Sequence, residues 1–199
     1  MLDMPDRWKP NVTVSAIIER DGRFLLVEEE TADGLKLNVP AGHLDPAESP
    51  IDACAREVLE ETAFSFTPKA LVGIYMNRFT RTRTGADITY VRFAFTGELG
   101  THHPERPLDD GVLRTVWMTL AELESSAARH RSPVVLQSVK DYLAGQRFDL
   151  SLLHVDASVY EVPGPTSRSP SGRGPDTRSG GRRPAGLMPA DQLAGDPSL

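Results

Sequence analysis

The stretch that decides the fold runs from Gly42 to Phe64, GHLDPAESPIDACAREVLEETAF. Its middle carries the signals of a helix N-terminus, because Ser49 suits the N-cap, Pro50 suits the first helical position, and Asp52 completes a capping box. Apolar residues then recur at steps of three and four, which predicts one buried helix face. That face comprises Ile51, Cys54, Ala55, Val58 and Thr62.

Three glutamates share another face of the same helix. Glu57, Glu60 and Glu61 stand at positions i, i+3 and i+4, so their carboxylates lie side by side. Like charges at this spacing repel, and the negative end of the helix dipole disfavours the last two. Two interpretations follow: a solvated acidic face, or a cluster whose repulsion is removed by a bound cation.

A wider pattern surrounds these glutamates. Gly42, Glu48, Arg56 and the glutamates fit G-x5-E-x7-R-E-U-x-E-E-x-G-U, in which U is a bulky apolar residue. This pattern resembles the signature of the Nudix hydrolases. Ala63 departs from it, since the signature has glycine there to form a left-handed C-cap. An alanine must accept a penalty of about 1–2 kcal/mol or end the helix in another way.

The resemblance extends over about residues 9–153. Five further segments look like those of the bacterial NudJ-type phosphatases of the Nudix family. They are KPNVTVSAIIERDG (9–22), NVPAGHLD (38–45), LRTVWMTLAEL (113–123), RSPVV (131–135) and GQRFDL (145–150). The resemblance implies a Nudix fold, with a mixed sheet sandwiched between helices. It also implies Mg²⁺-dependent hydrolysis of nucleoside tri- and diphosphates, and of hydroxymethylpyrimidine pyrophosphate, with release of phosphate; Mn²⁺ is expected to substitute.

The resemblance also implies a set of metal ligands. Magnesium prefers oxygen ligands and binds through a few carboxylates, substrate phosphates and water. Glu60 and Glu61 are the implied carboxylate ligands, and the backbone carbonyl of Ala41 is the third. Glu57 is either a further ligand or the general base, and the sequence leaves both roles open.

Two residues of the signature have alternative roles in the site. Glu48 either binds a second metal through water or fixes the loop before the helix. Arg56 either orients Glu57 or the loop through a bidentate pair, or contacts a substrate phosphate. We count both among the candidate catalytic residues.

Two further positions are candidates for substrate binding. His43 follows Gly42, where it would reach a phosphate or serve only to shape the loop. Asp109 or Asp110 lies in a predicted long loop, 98–113, and would supply a base, an extra ligand or only a turn. Among the aromatic residues Tyr75, Phe79, Tyr90 and Phe93, one would stack on a substrate ring if they do not all belong to the core.

Alternating and turn-bounded segments predict the remaining elements, which with the acidic helix give an α/β or α+β fold. The predicted strands are 11–20, 23–29, 35–39, 70–80, 88–97 and 115–118, with a hairpin turn at Asp21-Gly22, and further helices begin at Thr119 and Ser132.

Composition separates a domain from a tail. The net charge is −6, but residues 163–199 hold five arginines and three aspartates, so the preceding part carries −8. We expect a hydrolase domain over 9–155 and a disordered Pro/Gly/Ser/Arg-rich tail over 163–199. An acidic domain is unsuited to duplex nucleic acid. With one cysteine and no long apolar run, we expect a cytoplasmic monomer without a membrane partner, acting on a small phosphorylated molecule.

Two alternatives to phosphate release remain. One is the cleavage of nucleoside diphosphates linked to another moiety. The other is a non-catalytic Nudix-fold module that binds a nucleotide, which would typically lack some of the carboxylates that this chain retains.

Overall fold

Two β-sheets and three α-helices make up the computed structural model, which describes residues 7–81 and 85–161. The strands are β1 (Asn11–Ile17), β2 (Glu19–Arg20), β3 (Arg23–Thr31), β4 (Gly34–Asn38), β5 (Ala41–His43), β6 (Phe64–Thr80), β7 (Asp87–His102) and β8 (Val112–Thr119). The helices are α1 (Pro50–Thr62), α2 (Leu120–Ser125) and α3 (Val134–Leu143), with short 3₁₀ turns at Ala127–Arg129, Leu150–Leu152 and Ala157–Tyr160.

The first sheet is mixed and has the order β5-β1-β7-β6. Strands β1 and β7 are parallel, whereas β5 and β6 pair antiparallel to their neighbours. In the second sheet β3 pairs antiparallel with β2, β4 and β8. Ile18 alone separates β1 from β2, so the chain passes from one sheet to the other through a single buried residue. The predicted strand 11–20 is therefore two strands.

Helices cover both faces of this sheet pair. On one side, alternate residues of β1 and Leu25 pack with Cys54 and Val58 of α1. On the other, Ile17 and the neighbours of Leu25 pack with Val135 and Val139 of α3. This period of two along the strands puts apolar side chains on both faces. The predicted α+β sandwich is confirmed.

Local turn chemistry is confirmed, whereas several strand ends differ from prediction. Asp21 and Gly22 both have positive φ, 53° and 73°, as a two-residue hairpin turn requires. Strand β6 begins at Phe64, separated from α1 by one residue, β7 continues to His102, and β8 begins at Val112. The predicted loop 98–113 is therefore wrong over residues 98–102 and 112–113. Pairing between these strands, with Phe64 stacked on His102 at 4.3 Å, extends them beyond their apolar segments.

Part of the sequence prediction lies outside the described residues, including the tail at 163–199. Among the helices of residues 7–81 and 85–161, none is long and apolar enough to cross a membrane.

Candidate active site

Helix α1 has the predicted capping box at its N-terminus and ends at the position that the signature predicts. The Ser49 side chain accepts a hydrogen bond from the Asp52 backbone N–H at 3.1 Å, and the Asp52 carboxylate accepts one from the Ser49 N–H at 3.4 Å. At the other end Ala63 adopts the left-handed conformation, with φ 56°, and donates its N–H to the Leu59 carbonyl at 3.0 Å. Alanine thus takes the conformation that the signature assigns to glycine.

Burial of the apolar face fixes the orientation of the glutamates. Ala53, Cys54 and Val58 are fully buried under the sheets. Because the helix cannot rotate without exposing them, the adjacent face is held toward the edge strand β5. Glu57 and Glu61 are only 7% exposed there, so the interpretation as a solvated acidic face is wrong for both residues.

Glu61 joins α1 to the edge strand. Its carboxylate accepts the backbone N–H of Ala41 at 2.7 Å. In the antiparallel ladder Ala41 faces Ser15 as a non-hydrogen-bonded pair, so its N–H and carbonyl both point away from β1. Burial raises the pKa of Glu61 well above its usual range, and the hydrogen bond from Ala41 only partly opposes this.

Gly42 makes room for Glu57. A Cβ atom at Gly42 would lie 2.1 Å from the Glu57 carboxylate carbon, far inside van der Waals contact. Burial raises the pKa of Glu57, although the Arg56 guanidinium beside it opposes the shift. Any residue larger than glycine at this position would therefore have to displace the Glu57 carboxylate.

Arg56 connects the loop before α1 to the glutamates. Its guanidinium donates two hydrogen bonds to Glu48, at 3.0 and 2.8 Å, and one to the carbonyl of His43 at 3.0 Å. Another nitrogen donates to both Glu57 and Glu60 at 2.8 Å. Through these contacts Arg56 is placed to orient Glu57, and Glu48 is placed to fix the loop before α1. Burial would raise the pKa of Glu48, but the hydrogen bonds from Arg56 and the Asp45 backbone lower it.

An aspartate from the loop before β8 completes the acidic group. Glu57, Glu60 and Asp109 offer carboxylate oxygens that all lie within 4.8 Å of one another. The Asp109 backbone N–H donates to the Glu60 carbonyl at 3.1 Å, which fixes the loop against α1. Burial and the Glu60 charge raise the pKa of Asp109. Of the two aspartates proposed from sequence, Asp109 joins this group, whereas the exposed Asp110 is not part of it.

His43 lies on β5, where sequence analysis placed a loop. Its ring is partly buried and lies 5.8 Å from the ring of Tyr90. Burial lowers the pKa of the imidazole, and the positive charge of nearby Arg92 adds to this. The His43 side chain therefore lies against Tyr90, on the face of β5 opposite to the one where Gly42 meets Glu57.

Sequence analysis missed Arg92, whose guanidinium lies beside this site. It donates to Asn38 at 3.3 Å and to Thr13 at 3.5 Å. Burial lowers its pKa, whereas the charges of Glu29 and Glu61 oppose that shift. No local pattern on β7 marks Arg92, because its neighbours come from β1 and β4, far away in the chain.

Comparison with known proteins identifies the family of this chain. The NUDIX domain model matches residues 9–138. The chain belongs to the Nudix domain family. The phosphatase NudJ of Escherichia coli K12 is 36% identical over 148 residues, which cover 73% of this chain and 92% of that protein.

A solved structure extends the agreement to three dimensions. The Nudix hydrolase from Nitrosomonas europaea is 49% identical, with a TM-score of 0.68, over 74% of this chain and 98% of that one. The MutT protein from Methanosarcina mazei, 23% identical with a TM-score of 0.53 over 69% of this chain and 96% of that one, shares the Nudix fold. The present chain is a Nudix hydrolase.

Proposed function

We propose that this Nudix hydrolase uses Mg²⁺ to hydrolyse phosphoanhydride bonds in nucleoside tri- and diphosphates and in small pyrophosphates such as hydroxymethylpyrimidine pyrophosphate. In each case it would release phosphate. The observation that carries the proposal is the convergence of Glu57, Glu60 and Asp109 oxygens within 4.8 Å, beside the buried Glu61. The similarity to NudJ phosphatase over most of its length favours phosphate as the product.

The residues present fit a magnesium ion. Glu60, Glu61, the Ala41 carbonyl and, as a further ligand or the base, Glu57 would hold it, and Asp109 adds an oxygen from the opposite loop. When bound, Mg²⁺ would neutralise charge on the phosphate oxygens and lower the pKa of a coordinated water. The Glu57 carboxylate is confined between Gly42 and Arg56, which would limit its movement in either role.

The other signature residues position this set. Arg56 holds Glu48, Glu57 and Glu60 in one hydrogen-bonded array, which joins the loop to the helix. Such support keeps reactive groups within a fraction of an ångström of their required positions. We therefore assign Glu48 and Arg56 to positioning, with a direct phosphate contact by Arg56 left as the alternative.

The domain bounds, the cellular compartment and the oligomeric state form part of the same proposal. We propose that residues 9–155 constitute the hydrolase domain and that it works as a cytoplasmic monomer on a small phosphorylated substrate. The acidic balance of this region opposes binding to duplex nucleic acid. Its single buried thiol, Cys54, is compatible with a reducing compartment.

A substrate panel tests the proposal. The wild type is assayed with Mg²⁺ on ATP, ADP, ADP-ribose and hydroxymethylpyrimidine pyrophosphate, with orthophosphate and pyrophosphate quantified separately. We expect orthophosphate from the nucleotides and from the pyrimidine ester. Abundant pyrophosphate without orthophosphate, or cleavage of ADP-ribose alone, would contradict phosphate release.

Paired variants distinguish catalysis from mere binding. Glu61→Gln removes a charge from the buried site, and we expect phosphate release to fall at least about 100-fold. Glu98→Gln, at a carboxylate that is 75% exposed on β7, is the matched control and should keep full activity. Full activity in Glu61→Gln would contradict this active site, and no phosphate release by the wild type would favour the non-catalytic module.

A further inference from the structure

Arg92 differs in its partners from the arginines that form ion pairs elsewhere in the described chain. Its guanidinium is partly buried between Thr13 of β1 and Asn38 of β4, both 4% exposed. Within residues 7–81 and 85–161, no carboxylate lies within 4 Å of it, whereas Arg56, Arg114 and Arg129 each have at least one. Its two recorded hydrogen bonds, at 3.3 and 3.5 Å, are long for a charged donor. Its hydrogen-bond partners in the described chain are therefore neutral, and its positive charge has no anionic partner there.

A row of rings continues from Arg92 along the same face of the mixed sheet. Tyr90 lies two residues away on β7, so both side chains leave the sheet on one side. The Tyr90 ring lies 5.8 Å from that of Phe79, nearly parallel at 17°, and 5.8 Å from that of His43. Phe79 is 43% exposed, so part of this row is accessible to solvent.

Two groups of opposite charge flank edge strand β5, because Gly42 faces Glu57 and the adjacent His43 faces the other side. Glu57, Glu60 and Asp109 form the negative group near α1. Arg92, Arg131 and Arg81 lie near enough to His43 to lower its pKa through their charges. A substrate that bridges the two groups must be anionic at the arginine side and must meet a cation at the carboxylate side.

We propose that Arg92 binds a substrate phosphate while Tyr90 and Phe79 hold a planar heteroaromatic ring attached to that phosphate. This inference rests on the proposed hydrolase function and names the residues that would recognise the two parts of its substrates: the phosphate, and the planar ring that a ribose or a methylene group links to it. A guanidinium with free N–H groups matches phosphate oxygens in geometry and charge. Bases of any kind stack on aromatic side chains, because each base has a π-face.

A matched pair of non-hydrolysable ligands separates the two contacts. Methylenediphosphonate has the phosphates without a ring, and the α,β-methylene analogue of ADP has both. Binding of each is measured by calorimetry in saturating Mg²⁺. For Arg92→Gln we expect about a 10- to 100-fold loss of affinity for both ligands. For Tyr90→Ala we expect about a tenfold loss for the nucleotide analogue and none for methylenediphosphonate.

Two further variants keep the test decisive. Arg92→Lys retains the charge and is the control for a folding defect caused by its loss. This variant should bind both ligands more tightly than Arg92→Gln. Arg78→Gln removes an exposed arginine that is paired with Asp87 on the β6–β7 hairpin, and it should behave as wild type. Unchanged affinity in Arg92→Gln, or equal losses for both ligands in Tyr90→Ala, would overturn the inference.

The outcome is distinguishable from failure of the proposed function. If the wild type hydrolyses none of the substrate panel yet shows this binding pattern, the subsite stands and the hydrolase proposal fails. If it hydrolyses the panel while both variants bind as wild type, the subsite fails alone.

Discussion

At the scale of the single residue, Glu57 and Glu61 are unusual because each is a buried carboxylate. A carboxylate loses favourable hydration on burial, and both residues are 7% exposed with raised pKa values. Arg56 is the one cationic partner of Glu57, whereas Glu61 has only the Ala41 N–H and no ion pair within the described chain. Such local conflicts occur mainly at functional sites, where a ligand offsets them.

Gly42 provides the most direct residue-level test of this packing. Because a Cβ would meet the Glu57 carboxylate at 2.1 Å, Gly42→Ala must displace that side chain. We expect activity to fall about 100-fold, the loss typical of a misplacement of about 1 Å in a reacting group. Initial rates of phosphate release at saturating Mg²⁺ measure the effect.

A second glycine serves as the control for Gly42→Ala. Gly145 has φ 83° and no heavy atom within 4 Å of a built Cβ, so Gly145→Ala introduces backbone strain without a contact. It should lose about 1 kcal/mol of stability and keep its rate. Full activity in Gly42→Ala would contradict the assignment of Glu57 to the site.

The sequence specified some of these residues and not others. The three glutamates could be placed on one face because helical spacing alone determines which side chains are neighbours. Asp109 was only one of two adjacent aspartates, since its contact with Glu60 depends on the path of a loop. Arg92 could not be found, because Thr13 and Asn38 reach it only through strand pairing and packing.

Among the elements, α1 is the one most completely determined by local sequence. Its N-terminus has the predicted capping box, and its C-terminus falls at the position of the signature, despite Ala63. In contrast, β6 and β7 extend beyond their predicted ends, because each strand continues as long as the other supplies backbone partners. The sequence of either strand alone therefore does not predict where that strand ends.

The end of α1 gives an element-level prediction. Ala63 has φ 56°, a conformation that costs an alanine about 1 kcal/mol and a glycine almost nothing. Ala63→Gly should therefore raise the free energy of unfolding by about 1 kcal/mol, as measured by urea denaturation. Ala55→Gly, in the right-handed interior of the same helix, should lower it by a similar amount. A destabilised Ala63→Gly would show that this helix end is not strained.

At the scale of the whole molecule, the two sheets bring distant segments to one place. Edge strand β5 carries Ala41 and Gly42, α1 carries the glutamates, and the loop before β8 carries Asp109. Residues 1–162 bear a net charge of −8, part of which is concentrated in this group. A divalent cation would offset the local repulsion among these carboxylates.

Metal binding tests that central claim most directly. Mn²⁺, a spectroscopic substitute for Mg²⁺, is titrated into the wild type, Glu60→Gln and Glu98→Gln, and free Mn²⁺ is followed by electron paramagnetic resonance. We predict one site that Mg²⁺ displaces, with affinity at least about tenfold weaker in Glu60→Gln and unchanged in Glu98→Gln. Equal Mn²⁺ affinity in Glu60→Gln and the wild type would contradict the account.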